Sequence, residues 1–414
     1  MQQNHWAVFL SNDTDTKPFV KDILEGKAAP PFNAFNHLKG ALFSNITLTE
    51  LIEEEARRDF SEVTKNSNRQ LSSLSSGEQK KALLAFLLAQ QPDYIILDNP
   101  FDNLDKESQQ SLKQALTQLA EQVSFIQLIT RRVDHLSFIG QAVQLEINNT
   151  LIPIANISTY IQEQHHTAAA LSKAIPPPIH PYKISSKELI KFTNVSVHYG
   201  ERCILQNINW TIGNNEFWQL IGPNGSGKTT LLTMITGDNV KGYGQNLELF
   251  GRRKGSGETV WEIKDKIGYV TPAMTNLFST RHTLEDMVVS GFFDSIGLYV
   301  QAPEMQLRLA NKWLELIEME HLKHIAFCEL SLGLQRKALI ARAMVKHPPL
   351  LILDEPAFGL DDHNTAMVGS LINQIAAESN TSILYVSHRT EEGINPQFFF
   401  ELVPTENGSV GIIK

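Results

Sequence analysis

The sequence predicts an α/β protein built from two tandem domains, on three observations. Its 414 residues exceed what one ordinary core holds, roughly 250 to 300 residues. Short apolar runs (Tyr94 to Leu97, Leu350 to Leu353, Ile383 to Val386) alternate with amphipathic stretches (Glu107 to Leu119, Met305 to Ile317), the pattern of a mostly parallel sheet covered by helices. One long block of the chain also recurs.

Adding 256 to the numbering lays "IILDNPFDNLD" (Ile95 to Asp105) onto "LILDEPAFGLD" (Leu351 to Asp361), within "LLILDEPAFGLDD" (Leu350 to Asp362), and the register holds without a gap over some thirty residues. Leu74, Ser75, Gly77, Gln79, Lys81 and Ala82 fall on Leu330, Ser331, Gly333, Gln335, Lys337 and Ala338, and Asp98, Pro100 and Asp105 fall on Asp354, Pro356 and Asp361. Further upstream the register is 212, with His5 to Thr16 under Phe217 to Lys228, so the first copy lacks about 44 residues between the two blocks. It also has no counterpart of "LIKFTNVSVHYG" and "NINWTI", and is expected to be truncated at its N-terminus. The predicted domains are a degenerate first copy over 1–160, a linker over 161–187 with four prolines in six residues, and a complete second copy over 188–414. The linker is expected to be free and stiffened by its prolines.

Chemistry concentrates in the second copy. Gly222, Pro223, Asn224, Gly225, Ser226, Gly227, Lys228 and Thr229 match G-x-x-x-x-G-K-[ST], behind an apolar strand and ahead of a helix that begins at Thr230. Glycines let backbone N–H groups wrap α- and β-phosphates at the positive end of a helix, Lys228 reaches the outer phosphate oxygens, and the Thr229 hydroxyl is a Mg2+ ligand. Asp354 ends a second apolar strand and is the other expected Mg2+ ligand; Glu355, next in sequence, is placed to polarise an attacking water. His388 follows a third strand, where an imidazole would meet a γ-phosphate. The predicted ligands are therefore ATP and Mg2+.

The remaining composition narrows the class. Two cysteines, Cys203 and Cys328, have no metal-ligand spacing and suit a reducing cytoplasm. No stretch approaches 18 consecutive apolar residues, so membrane work would go through a partner. A net charge of -9 gives no general attraction to nucleic acid. The cluster Arg252, Arg253, Lys254 reads as a solvated hairpin turn.

These residues resemble the ATP-binding cassette (ABC) family. The family signature stands as "LSSGEQ" (Leu74 to Gln79) and "LSLGLQ" (Leu330 to Gln335), each ahead of its acidic strand. The resemblance implies two tandem P-loop (RecA-like) nucleotide-binding domains, the first truncated and degenerate. It also implies that each ATP lies between one domain's phosphate loop and the other domain's signature. Ser75, Ser76, Gly77 and Glu78 would then serve the second copy's loop, Asp105 and Asp361 would cross the interface, and Tyr199 would stack on adenine. In the first copy the loop reads Ser11-Asn12-Asp13-Thr14-Asp15-Thr16, without glycine or the matching lysine; Asn99 replaces the catalytic Glu, and Arg131 or Arg132 replaces the histidine. One competent composite site is expected, formed within one chain or in a homodimer. The glutamine that the family carries near Thr271 or Pro272 is missing. Stretches of the second half such as Asn246 to Val270 and Ser290 to Tyr299 resemble molybdate-type importers, which implies an ATPase peripheral to membrane permease subunits on the cytoplasmic face. A soluble nucleotide-gated clamp is the alternative.

Overall fold

The apolar runs become strands of two six-stranded, mostly parallel sheets with the same strand order. The computed structural model describes residues 3–58, 63, 69–162, 173–183, 186–388, 391 and 393–414. By contacts it divides into two units, Met1–His165 with Gly359–Asp362, and His166–Phe358 with His363–Lys414.

In the first unit, strands β1 (Trp6–Phe9), β2 (Gly40–Phe43), β3 (Tyr94–Asp98), β4 (Ser124–Ile129), β5 (Gln141–Leu145) and β6 (Leu151–Ile154) run in the order β2-β3-β4-β1-β5-β6. Only β6 is antiparallel to its neighbour. Helices α1 (Lys17–Leu24), α2 (Asn45–Arg58), α3 (Ser76–Ala89), α4 (Lys106–Leu119) and α5 (Ile157–Gln162) accompany it. The central strands read as continuous apolar runs because both faces are covered. One face packs Ile95, Leu97 and Phe125 against Leu83, Leu87, Leu112 and Leu116, and the other packs Ile96, Ile126 and Leu128 with Phe32 and Phe35.

The second unit opens with an antiparallel sheet of β7 (Glu188–Tyr199), β8 (Arg202–Gly213), β10 (Leu247–Leu249) and β11 (Arg252–Arg253). No such sheet occurs among the described residues of the first unit. Its main sheet holds β9 (Phe217–Ile221), β12 (Ile267–Val270), β13 (Leu350–Asp354), β14 (Ser382–Val386), β15 (Phe398–Val403) and β16 (Val410–Ile413), in the order β12-β13-β14-β9-β15-β16. Position for position this is the first unit's order. The two sheets share one core: Trp210 of β8 stacks on Phe400 of β15 at 4.3 Å and meets Trp218 of β9 edge-on at 5.7 Å. That contact ties the antiparallel sheet to β9, the strand that leads into the loop of residues 222–227.

Helices α6 (Lys228–Ile235), α7 (Val260–Lys264), α8 (Leu284–Val289), α9 (Glu304–Leu316), α10 (Leu332–Met344) and α11 (Asp362–Glu378) complete the unit. Strand pairing shows where the first copy is shorter. Gly40 pairs with Tyr94 as Ile267 pairs with Leu350, an offset of 227 at the edge strand, so the 44 missing residues split into 15 before it and 29 after it. The 29 correspond to the region of α8 and α9, which cover α10: ten of its thirteen residues are buried, against five of fourteen in α3.

Two expectations need correction. Of the linker, 163–172 and 184–185 lie outside the described residues, but 173–183 is held by the second unit rather than free. Lys173 bonds Glu315 at 3.0 Å, the Ile175 N–H donates to Glu378 at 2.9 Å, and the Tyr182 hydroxyl donates to the Asp265 carbonyl at 2.8 Å. Proline restricts the unbound conformers, which lowers the entropy cost of laying the segment down. The basic cluster also divides. Arg252 and Arg253 are exposed, whereas Lys254 is buried, its Nζ 3.7 Å from Glu258 and 4.7 Å over the Tyr243 ring. Its stem fills apolar space beside Gly237 and Gly242, where only an internal counter-charge can meet it.

Candidate functional site

The loop of residues 222–227 joins buried β9 to α6. Gly227 caps the helix at φ +98°, and a Cβ there would lie 2.7 Å from Leu205 Cδ2, so both backbone and packing demand glycine. No side chain caps α6, whose start is the positive end of the helix and the place where a phosphate would be held. Lys228 folds over the loop and donates to the carbonyls of Gly222 at 2.7 Å and Pro223 at 3.0 Å. Asn224 and Gly225 are exposed at the tip, and Pro223 lies between. Ser226 is 1% exposed and its Oγ has no partner among the described residues.

Two strands away, Asp354 ends β13 and Glu355 takes φ +51°. This left-handed turn is strained for a glutamate and is held by the Glu355 N–H donating to Val386 at 2.9 Å. It aims the carboxylate at His388, whose Nδ1 lies 2.9 Å from Oε1 and 2.8 Å from Oε2. The His388 side chain is 10% exposed and its Nε2 is a second buried polar atom without a partner among the described residues. Two unmatched polar atoms, one in the loop and one beside the carboxylates, suit a bound polyanion better than an empty cleft. Thr229 and Asp354 offer the hydroxyl and carboxylate that Mg2+ takes.

Burial, and then the neighbouring Glu355, push Asp354 up to about 6, against opposition from Lys228 and the Tyr269 side chain. A carboxyl raised in the fold contributes stability fully below its ordinary value of 3.8, and that contribution is lost as pH rises through about 6. In metal-free buffer Asp354→Asn should therefore raise Tm by roughly 2 to 4 °C at pH 7.5 and change it little near pH 4, by differential scanning calorimetry. Equal shifts at both pH values would contradict this.

Tyr199 ends β7 and is 47% exposed. The remaining candidates lie in the first unit. Ser75 caps α3 in a reciprocal box with Glu78: its Oγ accepts from the Glu78 N–H at 3.3 Å, while Glu78 accepts from the Ser75 N–H at 2.7 Å. Ser76 Oγ donates to Asn103, and Asp105 caps α4 by accepting from Ser108. Gly77 sits between these helix starts, where a Cβ would come 2.6 Å from Ser108 Oγ. The second signature lacks the box, since Leu334 stands where Glu78 does, and Ser331 makes no cap bond.

The first copy keeps the shapes of the site with other groups. Asp15 accepts from the Lys17 N–H at 3.1 Å, so a carboxylate of the chain itself meets the first N–H of α1. Asn99 turns at φ +41° with its N–H on Leu128 at 3.0 Å, as Glu355 turns on Val386, and its Oδ1 accepts from Thr130 N–H and Oγ1 at 3.1 and 3.2 Å. Asparagine tolerates this conformation better than glutamate. The pairs Asp98–Leu128 and Asp354–Val386 put Thr130, not Arg131 or Arg132, at the position of His388. Arg132 instead lies 3.9 Å over the Tyr160 ring. The register slips by two because α4 has 14 residues where α11 has 17, while the loop that follows α4 is one residue longer.

A parallel sheet with a glycine loop at the head of a helix and a carboxylate pair two strands away defines a P-loop nucleotide hydrolase. Residues 205–358 match the family described as ABC transporter. The chain is 36% identical over 365 residues to the ABC transporter ATP-binding protein ModF of Escherichia coli K12, covering 84% of this chain and 74% of that protein. It is 32% identical over 326 residues to an ABC transporter ATP-binding protein of Schizosaccharomyces pombe, covering 78% of this chain and 66% of that protein. In fold alone, 99% of it matches archaeal ABCE1 in a ribosome-bound complex with Pelota, at 15% identity and a TM-score of 0.66 over 74% of that chain. The chain belongs to the ABC transporter ATP-binding family, whose members bind and hydrolyse ATP. Among the described residues no helix is long and apolar enough to cross a membrane.

Proposed function

We propose that this protein hydrolyses ATP at one composite site, the second copy's phosphate loop completed by a signature of the first-copy type, from the same chain or a second copy. The observation that carries this is the asymmetry of the two copies. The second has the glycine loop, Lys228 and the Glu355–His388 pair, while the first has Asp15 at its helix start and Asn99 bonded to Thr130. The signatures divide the other way, with the capped Ser75-Ser76-Gly77-Glu78 in the first copy and Leu332 and Leu334 in the second.

In this reading the N–H groups of 225–230 and Lys228 bind the phosphates, and Thr229 and Asp354 hold Mg2+, which supplies positive charge against the phosphate oxygens. Glu355 accepts a proton from the attacking water, and His388, fixed through Nδ1, turns Nε2 to the γ-phosphate. Ser75 and the Gly77 N–H bind the same phosphate from the other side, with Asp105 and Asp361 at the junction.

A double substitution tests the signature. Gly77→Val alone would collide with Ser108, so Gly77→Val is combined with Ser108→Gly. Hydrolysis should fall about tenfold or more while Tm stays within roughly 3 °C of the Ser108→Gly control. Normal turnover by the folded double variant would overturn the composite site.

For its setting we assign the protein to a molybdate-type importer, as the ATPase bound to permease subunits at the cytoplasmic membrane face. The resemblance of the stretches Asn246 to Val270 and Ser290 to Tyr299 to such importers supports this. So do five exposed apolar side chains between 277 and 305 (Leu277, Phe293, Tyr299, Val300, Met305) over a framework in which buried Arg342 and Lys346 bond Ser290, Ser295 and Asp294. Cells carrying Glu355→Gln should accumulate less molybdenum by elemental analysis; unchanged content would overturn the assignment.

A further inference from the structure

The base end of the site contains a device that the phosphate motifs do not announce. Asn239, in the turn after α6, spends its whole amide on three partners. Nδ2 donates to the Tyr199 hydroxyl at 3.0 Å and to Thr233 Oγ1 at 3.1 Å, and Oδ1 accepts from the Lys241 N–H at 3.0 Å. Thr233 Oγ1 in turn donates to the carbonyls of Thr229 at 2.8 Å and Thr230 at 3.0 Å, the residues that open the phosphate-binding helix. A continuous chain of side-chain bonds thus runs from the exposed ring of Tyr199 to the first turn of α6. The Lys241 backbone held by Asn239 also places its side chain: Nζ stands 5.6 Å over the Tyr199 ring. One face of the ring is therefore covered by a cation, and an incoming base meets the other.

From this geometry we propose that Asn239 is a positioning residue for nucleotide binding, fixing the Tyr199 ring at a set distance and angle from the phosphate loop, with Lys241 closing one face so that the base stacks on the other. The inference rests on the reading that Tyr199 stacks the base. A half-exposed tyrosine at a strand end would otherwise sample several rotamers, and each lost rotamer would cost affinity at binding. Anchoring the hydroxyl to the same helix that holds the phosphates removes that cost before the nucleotide arrives. The cation over the ring adds an attraction of the kind seen between lysine and aromatic faces and holds the ring in place.

The test compares ATP with inorganic tripolyphosphate, which engages the loop but has no base, by equilibrium dialysis on the full-length chain. Tyr199→Ala should weaken ATP about tenfold and leave tripolyphosphate unchanged. Asn239→Ala and Tyr199→Phe should each weaken ATP about fivefold, again with tripolyphosphate unchanged, and the double variant should lose no more than the larger single loss, because both remove the same bond between Asn239 and the Tyr199 hydroxyl. If Tyr199→Ala weakens ATP but Asn239→Ala does not, or if the Asn239 and Tyr199→Phe losses multiply, the positioning role is overturned while the stacking reading stands. If Tyr199→Ala leaves ATP binding intact, both are overturned. If Asn239→Ala weakens tripolyphosphate as much as ATP, Asn239 supports the helix rather than the ring, and the proposal is overturned.

Discussion

Replacing Lys228 with alanine is expected to weaken ATP binding by about two orders of magnitude or more, the value of two to three charge-assisted bonds to phosphate. In the structure its ammonium spans the Gly222 and Pro223 carbonyls, so it is already folded over the place the phosphates would take. The loss has a second component. Lys228 is the cation that draws Asp354 back toward its ionised form against burial and Glu355, and without it the carboxylate would be protonated more readily. Mg2+ affinity should fall along with that of the nucleotide. Fluorescence titration with a labelled ATP analogue, checked by melting curves, measures the effect. A Kd within about threefold of the parent would mean that phosphate is bound elsewhere.

The second large effect is kinetic. Glu355→Gln should bind ATP as tightly as the parent but hydrolyse it roughly a hundred- to ten-thousandfold more slowly, the contribution of a positioned general base. Glutamine keeps the geometry, since its carbonyl oxygen can accept from His388 Nδ1 as Oε1 and Oε2 do now at 2.9 and 2.8 Å. It also keeps the strained backbone at φ +51°, so the change removes proton acceptance and little else. Single-turnover release of phosphate is the measurement. A rate within tenfold of the parent would move the base to another group.

Much of the fold was legible because its signals are local. Strands buried on both faces write themselves as unbroken apolar runs, and Tyr94 to Leu97, Leu350 to Leu353 and Ile383 to Val386 all form strands, each within a residue of the expected ends. The duplication was legible for the same reason, and the common strand order of the two sheets is its structural counterpart. The loop of residues 222–227 carries its own geometry in its glycines.

What the sequence hid depends on distance along the chain or on small length changes. The placement of Thr130 at the histidine position follows from strand pairing across β3 and β4 and is masked by a net shortening of two residues between those strands. Lys254 looks like any residue of a basic turn until the apolar wall beside Gly237 encloses it. The bonds that lay 173–183 along the second unit reach partners as far as Glu378, more than 200 positions away. Asn239 has no motif at all, only its bonds to Tyr199 and Thr233, 40 and 6 positions away. Signals of this kind belong to the folded arrangement, and no local periodicity carries them.

The central claim is that each chain offers one nucleotide site, built on Lys228, Asp354 and Glu355, and that the Asp15 and Asn99 copy offers none. It is tested most directly by counting nucleotide bound to the Glu355→Gln protein at saturating Mg2+ and ATP in equilibrium dialysis. One ATP per chain, falling to none when Lys228→Ala is added, is the predicted result; two per chain, or one that survives the loss of Lys228, would contradict it.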